Sequence, residues 1–543
     1  MASSEASRGA RVDGTMAPRA PLYAVGVLAT VLALLIGTLT AEPAQAKTFT
    51  VNSTAHPGDG SCTATQCTLA EAVNEANGNT QTDTINFASG LKGEIPLHNT
   101  GPQGGFSIAN DLPAVDLTIN GPGARLLAID GNDETRAVGI YPGANVTIRG
   151  LTIKNGKTYS SDPDAGGIGN GGILTLAKVV VSGNTAFGNG GAISNSGSLA
   201  VTDSTFSGNR SFLGGGIYNY RGGSLTIADS TFSGNTSTNG AGGGVASSQT
   251  GSTLTITAST FYGNSAPEGG GGGVYTGGGA FSTITNATVA GNNAKLGGGL
   301  YSSGTTNLRN TIVAGNNASS EAPDVYGPIT SQGNNLIGNI SGGTGYLGSD
   351  LLNRNPLLGP IQNNGGPTQT RALLPASPAV DAGTNTGCPA TDQRGVGRKD
   401  GDSNGSVVCD IGAYERTDLK SPKVSSTTPT IGATGVKRGA SLAATFSEKM
   451  TRSTLGTATF KLFRVNPDGS ASQIASSTVS SSTDGLKATL NPFGTSSTLL
   501  AANTKYKAVI TTGARDLAGN QLDQSPTTAG RQQKVWTFKT GSS

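Results

Sequence analysis

The stretch Ser224-Leu-Thr-Ile-Ala-Asp-Ser-Thr-Phe-Ser-Gly-Asn235 decides how this chain folds, because it does not occur once. Close copies stand at 198–209 and 253–264, with weaker ones on either side. The closing Gly-Asn pairs place Asn184, Asn209, Asn235, Asn264, Asn292 and Asn316 at intervals of 25, 26, 29, 28 and 24 residues. A period in this range means stacked supersecondary units rather than one globular core. Within a unit Leu225 and Ile227 flank Thr226, the alternation of a strand with one buried face, and Leu199/Val201 and Leu254/Ile256 repeat it. Phe206, Phe232 and Phe261 recur at one position, so their rings are expected to stack inside the coil. Glycine runs before Ile217, Val274 and Leu300 permit tight bends. Three short strands per turn, each paired with its counterpart one turn on, make an all-β right-handed parallel β-helix over 117–355. A propeller blade wants about 40 residues, which this spacing excludes.

The flanks differ in composition. Glycine is 84 of 543 residues and charged residues are only 13%, unlike a disordered tail. Net charge is +3 with no dense basic run, so no nucleic-acid partner is expected. Arg8, Arg11 and Arg19 precede an apolar stretch at 21–41 and the small residues Ala44-Gln-Ala46. This reads as an export signal over 1–46, with an uncleaved membrane anchor as the rival reading. No later segment is long and apolar enough to span a bilayer, so the mature protein is expected to be secreted or at the cell surface. Residues 47–116 should form an N-terminal cap with the first strands. Leu69, Val73 and Ala76 there share one face of a helix beginning near Thr68. The four cysteines suit an oxidising compartment and are expected to pair locally, Cys62 with Cys67 and Cys388 with Cys409. A zinc site is the alternative, with only His56 and His98 to help. The repeat fades over 356–418, expected to be a C-terminal cap. Strand-like runs over 419–543 suggest a β-sandwich with Leu442, Phe446, Phe460, Leu462, Tyr506, Val509, Trp536 and Phe538 inside.

Several motifs resemble known families. Gly190-Gly-Ala-Ile193 and the Phe-x-x-Asn words at 206–209, 232–235 and 261–264 resemble the polymorphic outer-membrane protein repeats. Cys67-Thr-Leu-Ala-Glu-Ala72 is similar to the Cys-Ser-Leu-Arg-Glu-Ala motif that opens many secreted bacterial β-helix proteins, with Ala70 in place of the arginine. Asn363-Asn-Gly-Gly-Pro367, Ser377-Pro-Ala-Val-Asp-Ala-Gly383 and Cys409-Asp-Ile-Gly-Ala-Tyr-Glu415 resemble the choice-of-anchor Q region. Gly432-Ala-Thr-Gly-Val436, Phe446-Ser-Glu-Lys-Met450 and Asp516-Leu-Ala-Gly-Asn520 resemble the bacterial Ig-like domain of S-layer and other surface proteins. The resemblance implies a surface protein and fixes no reaction.

Chemistry is sparse along the repeats. Between 165 and 320 the charged residues are Lys178, Asp203, Arg210, Arg221, Asp229, Glu268, Lys295 and Arg309, with no histidine or cysteine. Counting six back from each Gly-Asn asparagine aligns Lys178, Asp203, Asp229, Ala258, Asn286 and Asn310. Neighbouring turns lie about 4.8 Å apart, so Asp203 and Asp229 approach the spacing of a retaining glycosidase pair. The competing expectation is a structural ladder of Asp203, Asp229, Asn286 and Asn310 at a bend, since Asn and Asp tolerate left-handed backbone. Asp130, Asp133 and Glu134 read as a turn or a weak calcium loop, and Asp162 and Asp164 as a solvated insertion. Asp381, Asp392, Asp410 and Glu415 read as turn and cap residues, with calcium the lesser alternative. Asp516 and Asn520 read as a turn in the sandwich. No cofactor is expected. The function expected is a non-enzymatic binding or presentation scaffold for cell-wall polymer, glycan or a surface protein, with glycan adhesion its sharper form. A polysaccharide lyase or glycoside hydrolase is the runner-up, and a purely structural envelope component the third.

Overall fold

The computed structural model describes residues 45–78, 80–98, 105–109, 115–401, 406–494 and 498–543. The expected export signal, with its apolar stretch at 21–41, lies outside the described residues. Among the described residues no helix is long and apolar enough to cross a membrane.

From Thr48 to Leu352 the chain winds through three parallel sheets of eleven, ten and eleven strands. One turn runs from Ile193–Asn195 in the second sheet to Ser198–Thr202 in the first and Thr205–Ser207 in the third. The register is residue on residue. Leu199 pairs with Leu225 and Leu225 with Leu254, while Phe206 pairs with Phe232 and Phe232 with Phe261. The phenylalanine rings stack at 4.6 Å and 4.9 Å between centroids, fully buried. No single turn can bury such a face alone, so stacking supplies the core.

The expected three strands per turn are joined by a fourth sheet of five strands, from Arg210–Ser211 to Asn317–Glu321. After each Gly-Asn the chain runs extended for two residues or more, turning Ser211, Ser237, Ala266 and Ala294 inward. Strands of two residues, or longer ones that turn at most one small side chain inward, show no alternation in the sequence. At the N-terminus the helix Leu69–Asn77 lays Leu69, Val73 and Ala76 on the core. Thr68 and Glu71 form a reciprocal capping box, which satisfies two of the helix's free N–H groups.

Segment 356–415 departs from the expected terminal cap. Its hydrogen bonds run back along the flank of the solenoid: Thr368 Oγ1 donates to Asp229 O, Gln393 Nε2 to Ser230 O, and Asn334 Nδ2 to Ala382 O. Leu373, Ala379 and Ile411 pack on Ile312, Ala314 and Leu336 of the third sheet. The segment is a lateral strap, and the reason is visible in the third sheet, whose outward Ile312 and Leu336 would otherwise face water. Beyond it, two four-stranded antiparallel sheets enclose Phe460, Tyr506, Trp536 and Phe538. The disulfides are Cys62–Cys67 and Cys388–Cys409.

Candidate functional site

The column aligned from the repeats is one backbone corner between the first and third sheets. Lys178, Asp203, Asp229, Ala258, Asn286 and Asn310 all have φ between 43° and 56°, and Gly150 and Asn334 extend the corner with φ of 59° and 57°. Left-handed backbone is tolerated by Asn, Asp and Gly and costs other residues about 1–2 kcal/mol. The side chains do not form the expected continuous ladder. Asn310 Nδ2 donates to Asn286 Oδ1 at 3.3 Å, but Asp203 and Asp229 carboxylates accept no hydrogen bond from any described residue. The corner asparagines instead serve the strap: Asn286 Nδ2 donates to Asp410 O, and Asn310 exchanges two bonds with Thr384.

The long ladder lies six residues further on. Asn184, Asn209, Asn235, Asn264, Asn292 and Asn316 each donate Nδ2 and backbone N to the Oδ1 of the next member, at 2.8–3.1 Å, and the last pair goes to Asp324 Oδ1. Each Nδ2 also donates to a carbonyl of the turn before, such as Asn235 to Phe206 O. The strict Gly-Asn period was the available signal for this ladder.

Burial pushes Asp229 up to about 6, helped by the charges of Asp203 and Asp392 and opposed by Arg398. A carboxylic acid beside a second carboxylate is the arrangement an acid–base pair requires. Nearby, the strap acids converge on arginines. Arg394 Nη2 lies 2.7 Å from Asp392, Arg398 Nη1 lies 2.7 Å from Glu415, and both carboxylates are fully buried. Burial, then the charge of Glu415, push Asp410 up to about 8 against N–H donors from Arg416 and Asp381. Upstream, Asp130 accepts from Asn132 N and Asn155 and pairs with Lys154 at 3.0 Å, while Asp162 pairs with Arg136 at 2.8 Å.

A cleft of about 600 Å³ opens where the last turns meet the strap. Arg354, Arg371, Asn339, Asn355, Asp324 and Leu358 line it. Arg371 rests 5.3 Å over the Tyr262 ring and donates Nε to Gly359 O, and burial lowers its pKa. Neither arginine has a carboxylate within ion-pair distance among the described residues. Asp324 beside them is itself pushed up by burial, against donors from Asn316. None of these residues stands out in the sequence, because the cleft forms only where the last turns meet a segment beyond the repeat.

In the sandwich, Asp418, Glu448 and Asp516 bring carboxylate oxygens within 4.8 Å of one another, all three side chains buried. Burial, then Asp418 and Asp516, push Glu448 up to about 7. The expected turn at Asp516 is present, since Asn520 N and Nδ2 both donate to its carboxylate.

Residues 129–261 match the family described as "Right handed beta helix region", and residues 418–540 match "Bacterial Ig-like domain". The chain is a right-handed β-helix followed by an Ig-like module. No curated protein matches it. Similar solved structures include the S-layer protein rSbsC(31-844), at 20% identity over 22% of this chain and 14% of that one, with a TM-score of 0.16. Surface layer protein SbsC, domains 1-6, is 19% identical over 23% of this chain and 14% of that one, with a TM-score of 0.17. The N-terminal part of SbsC is 20% identical over 22% of this chain and 24% of that one, with a TM-score of 0.16. The matched part therefore spans under a quarter of each of those chains.

Proposed function

We propose that this is an exported surface protein whose β-helix is a non-enzymatic scaffold that binds an acidic glycan in the cleft beside Arg354 and Arg371. The observation that carries the reading is the cleft's charge. Two guanidinium groups without an acid partner face a hollow also lined by Asn339 and Asn355. Planar guanidinium forks suit carboxylates, and a partly desolvated arginine gains most from such a partner. Two disulfides support an oxidising, extracytoplasmic setting.

Titration calorimetry with polygalacturonate and with a neutral glucan tests this. Binding of the acidic polymer alone, weakened at least about tenfold by Arg371→Met or Arg354→Ala, is the expected result. Equal affinity in wild type and both variants, or no binding of either polymer, overturns it; no binding together with self-assembly favours a purely structural envelope role. A second reading, a polysaccharide lyase or glycoside hydrolase, is favoured by one observation, the Asp229 carboxyl raised to about 6 beside Asp203. Release of new reducing ends or unsaturated uronates, abolished by Asp229→Asn, selects that reading instead.

A further inference from the structure

On the outer face of the second sheet one column of side chains runs from turn to turn. Tyr218, Tyr275, Tyr301 and Tyr326 occupy it in later turns, and the last three rings stack at 5.0 Å and 4.9 Å. In three earlier turns the same column holds Gly139, Gly169 and Ser194, on the strands Val138–Ile140, Ile168–Asn170 and Ile193–Asn195. The missing side chains leave a notch of about 320 Å³. Neither glycine is required by the backbone, since neither has a left-handed φ. Nor do the surroundings of Gly169 forbid a side chain: a Cβ there would meet the Arg136 side chain at 3.6 Å, an ordinary contact. Glycine inside a strand without such a reason marks a place where something else approaches the backbone. Ser194 supplies an independent observation. It is 5% exposed, it lines the notch, and its Oγ has no hydrogen-bond partner. A buried hydroxyl left alone in this way calls for a partner.

The walls define the partner's chemistry. Segment 157–165, expected to be a solvated insertion, is pinned across the turns: Gly188 N donates to Pro163 O, Asn189 N to Asp164 Oδ1, and the Tyr159 hydroxyl to Asp133 O, at 2.7–2.9 Å. Arg136 in this wall is already paired with Asp162 at 2.8 Å and also donates to Asp164 O and Ala165 O. With Asp164 beside that pair, the notch has no spare positive charge for an acidic ligand, and a neutral one fits better. Tyr141 and Tyr220 bring rings to its margin, and such amphipathic surfaces suit a pyranose, apolar on its faces and polar at its rim. We infer that the notch is a binding site for one N-acetylated sugar unit of a neutral glycan, with its acetamido group on the glycine floor. A planar amide lies flat against bare backbone where a branched side chain cannot. Its methyl covers Gly139 and Gly169, and its carbonyl accepts from Ser194 Oγ, a hydroxyl free to donate. A plain hexose brings neither group. The notch shares no lining residue with the cleft at Arg354 and Arg371, so this inference does not rest on the acidic-glycan reading.

The test is saturation-transfer NMR on the full chain with disulfides intact, titrated with N,N′-diacetylchitobiose at up to roughly millimolar concentration. Cellobiose, which carries hydroxyls in place of the acetamido groups, is the comparison. Transfer is expected to be strongest at the acetamido methyl protons and weak throughout cellobiose. Gly169→Tyr continues the tyrosine column into the notch, so it should abolish binding without lowering the midpoint of thermal unfolding. Ser194→Ala breaks no bond of the fold and is expected to weaken the sugar about fivefold. Arg371→Met should leave sugar binding intact, and Gly169→Tyr should leave polygalacturonate binding as in wild type, so the two sites fail separately. No transfer to diacetylchitobiose, equal transfer to cellobiose, or full binding by Gly169→Tyr overturns the proposal. N-acetylglycinamide bound as tightly as the sugar would assign the notch to peptides and overturns it as well. If Gly169→Tyr does not fold, Ser194→Ala decides, and an unchanged affinity there is the overturning result.

Discussion

Two sets of buried acids sit on either side of the strap's end, and they are neutralised differently. In the strap, Asp392 and Glu415 are fully buried and each meets an arginine at 2.7 Å. In the Ig-like module, Glu448 is just as enclosed and meets two further carboxylates. The first set is closed on itself, so it holds the strap in place and offers nothing to a ligand. The second is met by a proton instead, since Glu448 is pushed up to about 7. The solenoid repeats the contrast in neutral form: the Asn184–Asn316 ladder is saturated, whereas Asp203 and Asp229 accept nothing from any described residue. Saturation marks structure, and an unsatisfied buried group marks a place where chemistry or a ligand is to be sought.

The largest effect expected on this contrast comes from opening the closed set. Arg394→Ala strands Asp392 without its partner and removes the stacking on Tyr414 at 3.6 Å, so a loss of about 3–5 kcal/mol is expected. Urea unfolding measures it, and proteolysis near 356 should report strap release. An unchanged midpoint would mean the ion pair does not hold the strap. Next comes the ladder. Asn235→Ala removes the buried acceptor of Asn209 N and Nδ2 and the side-chain donor to Phe206 O, and about 2–4 kcal/mol should be lost in the same measurement.

Titration gives smaller effects of opposite sign at two places. Asp410 is raised from its ordinary value to about 8 in the folded strap, so its contribution is full below the unfolded value near 4 and is lost as pH rises through about 8. Glu71 runs the other way. Burial opposes its ionisation, but N–H donors from Thr68 and Gly60 and the Thr68 hydroxyl outweigh it and bring the carboxyl down to about 2. Its contribution is full above about 4.5 and is lost as pH falls through about 2. Hydrogen exchange at alkaline and acid pH should therefore loosen the strap in one limb and the helix Leu69–Asn77 in the other. Loosening of both in the same limb contradicts the assignment. The smallest effect belongs to Asp203→Asn, whose side chain has no partner to lose. Stability should stay within about 0.5 kcal/mol of wild type, and a larger drop in thermal unfolding would place Asp203 in an internal ladder after all.

How much of this was legible in the sequence varies along the chain. The solenoid was, down to the ring stack at Phe206, Phe232 and Phe261, because every turn reports the same environment three or more times. The corner at Lys178–Asn310 was aligned correctly as a column, but its partners were not, since Asn286 and Asn310 bond to residues about 75–125 positions away. The fourth sheet is not legible because two of its strands are two residues long and the longer ones bury at most one side chain, a single alanine, so no alternation can be counted. The strap was read as a terminal cap because nothing local says which surface it covers. Arg354 and Arg371 went unnoticed for the same reason.

The sequence by itself determined the winding: its period, its inward aliphatic column and the two local disulfides follow from residues that are neighbours in the chain or one turn apart. Only the tertiary structure decided which flank the strap covers, where the arginine cleft opens, and that Asp418, Glu448 and Asp516 meet. The physical reason is range. Stacking repeats a nearest-neighbour interaction until it becomes visible as a pattern, whereas each of those three gatherings occurs once, between segments whose approach depends on the fold as a whole.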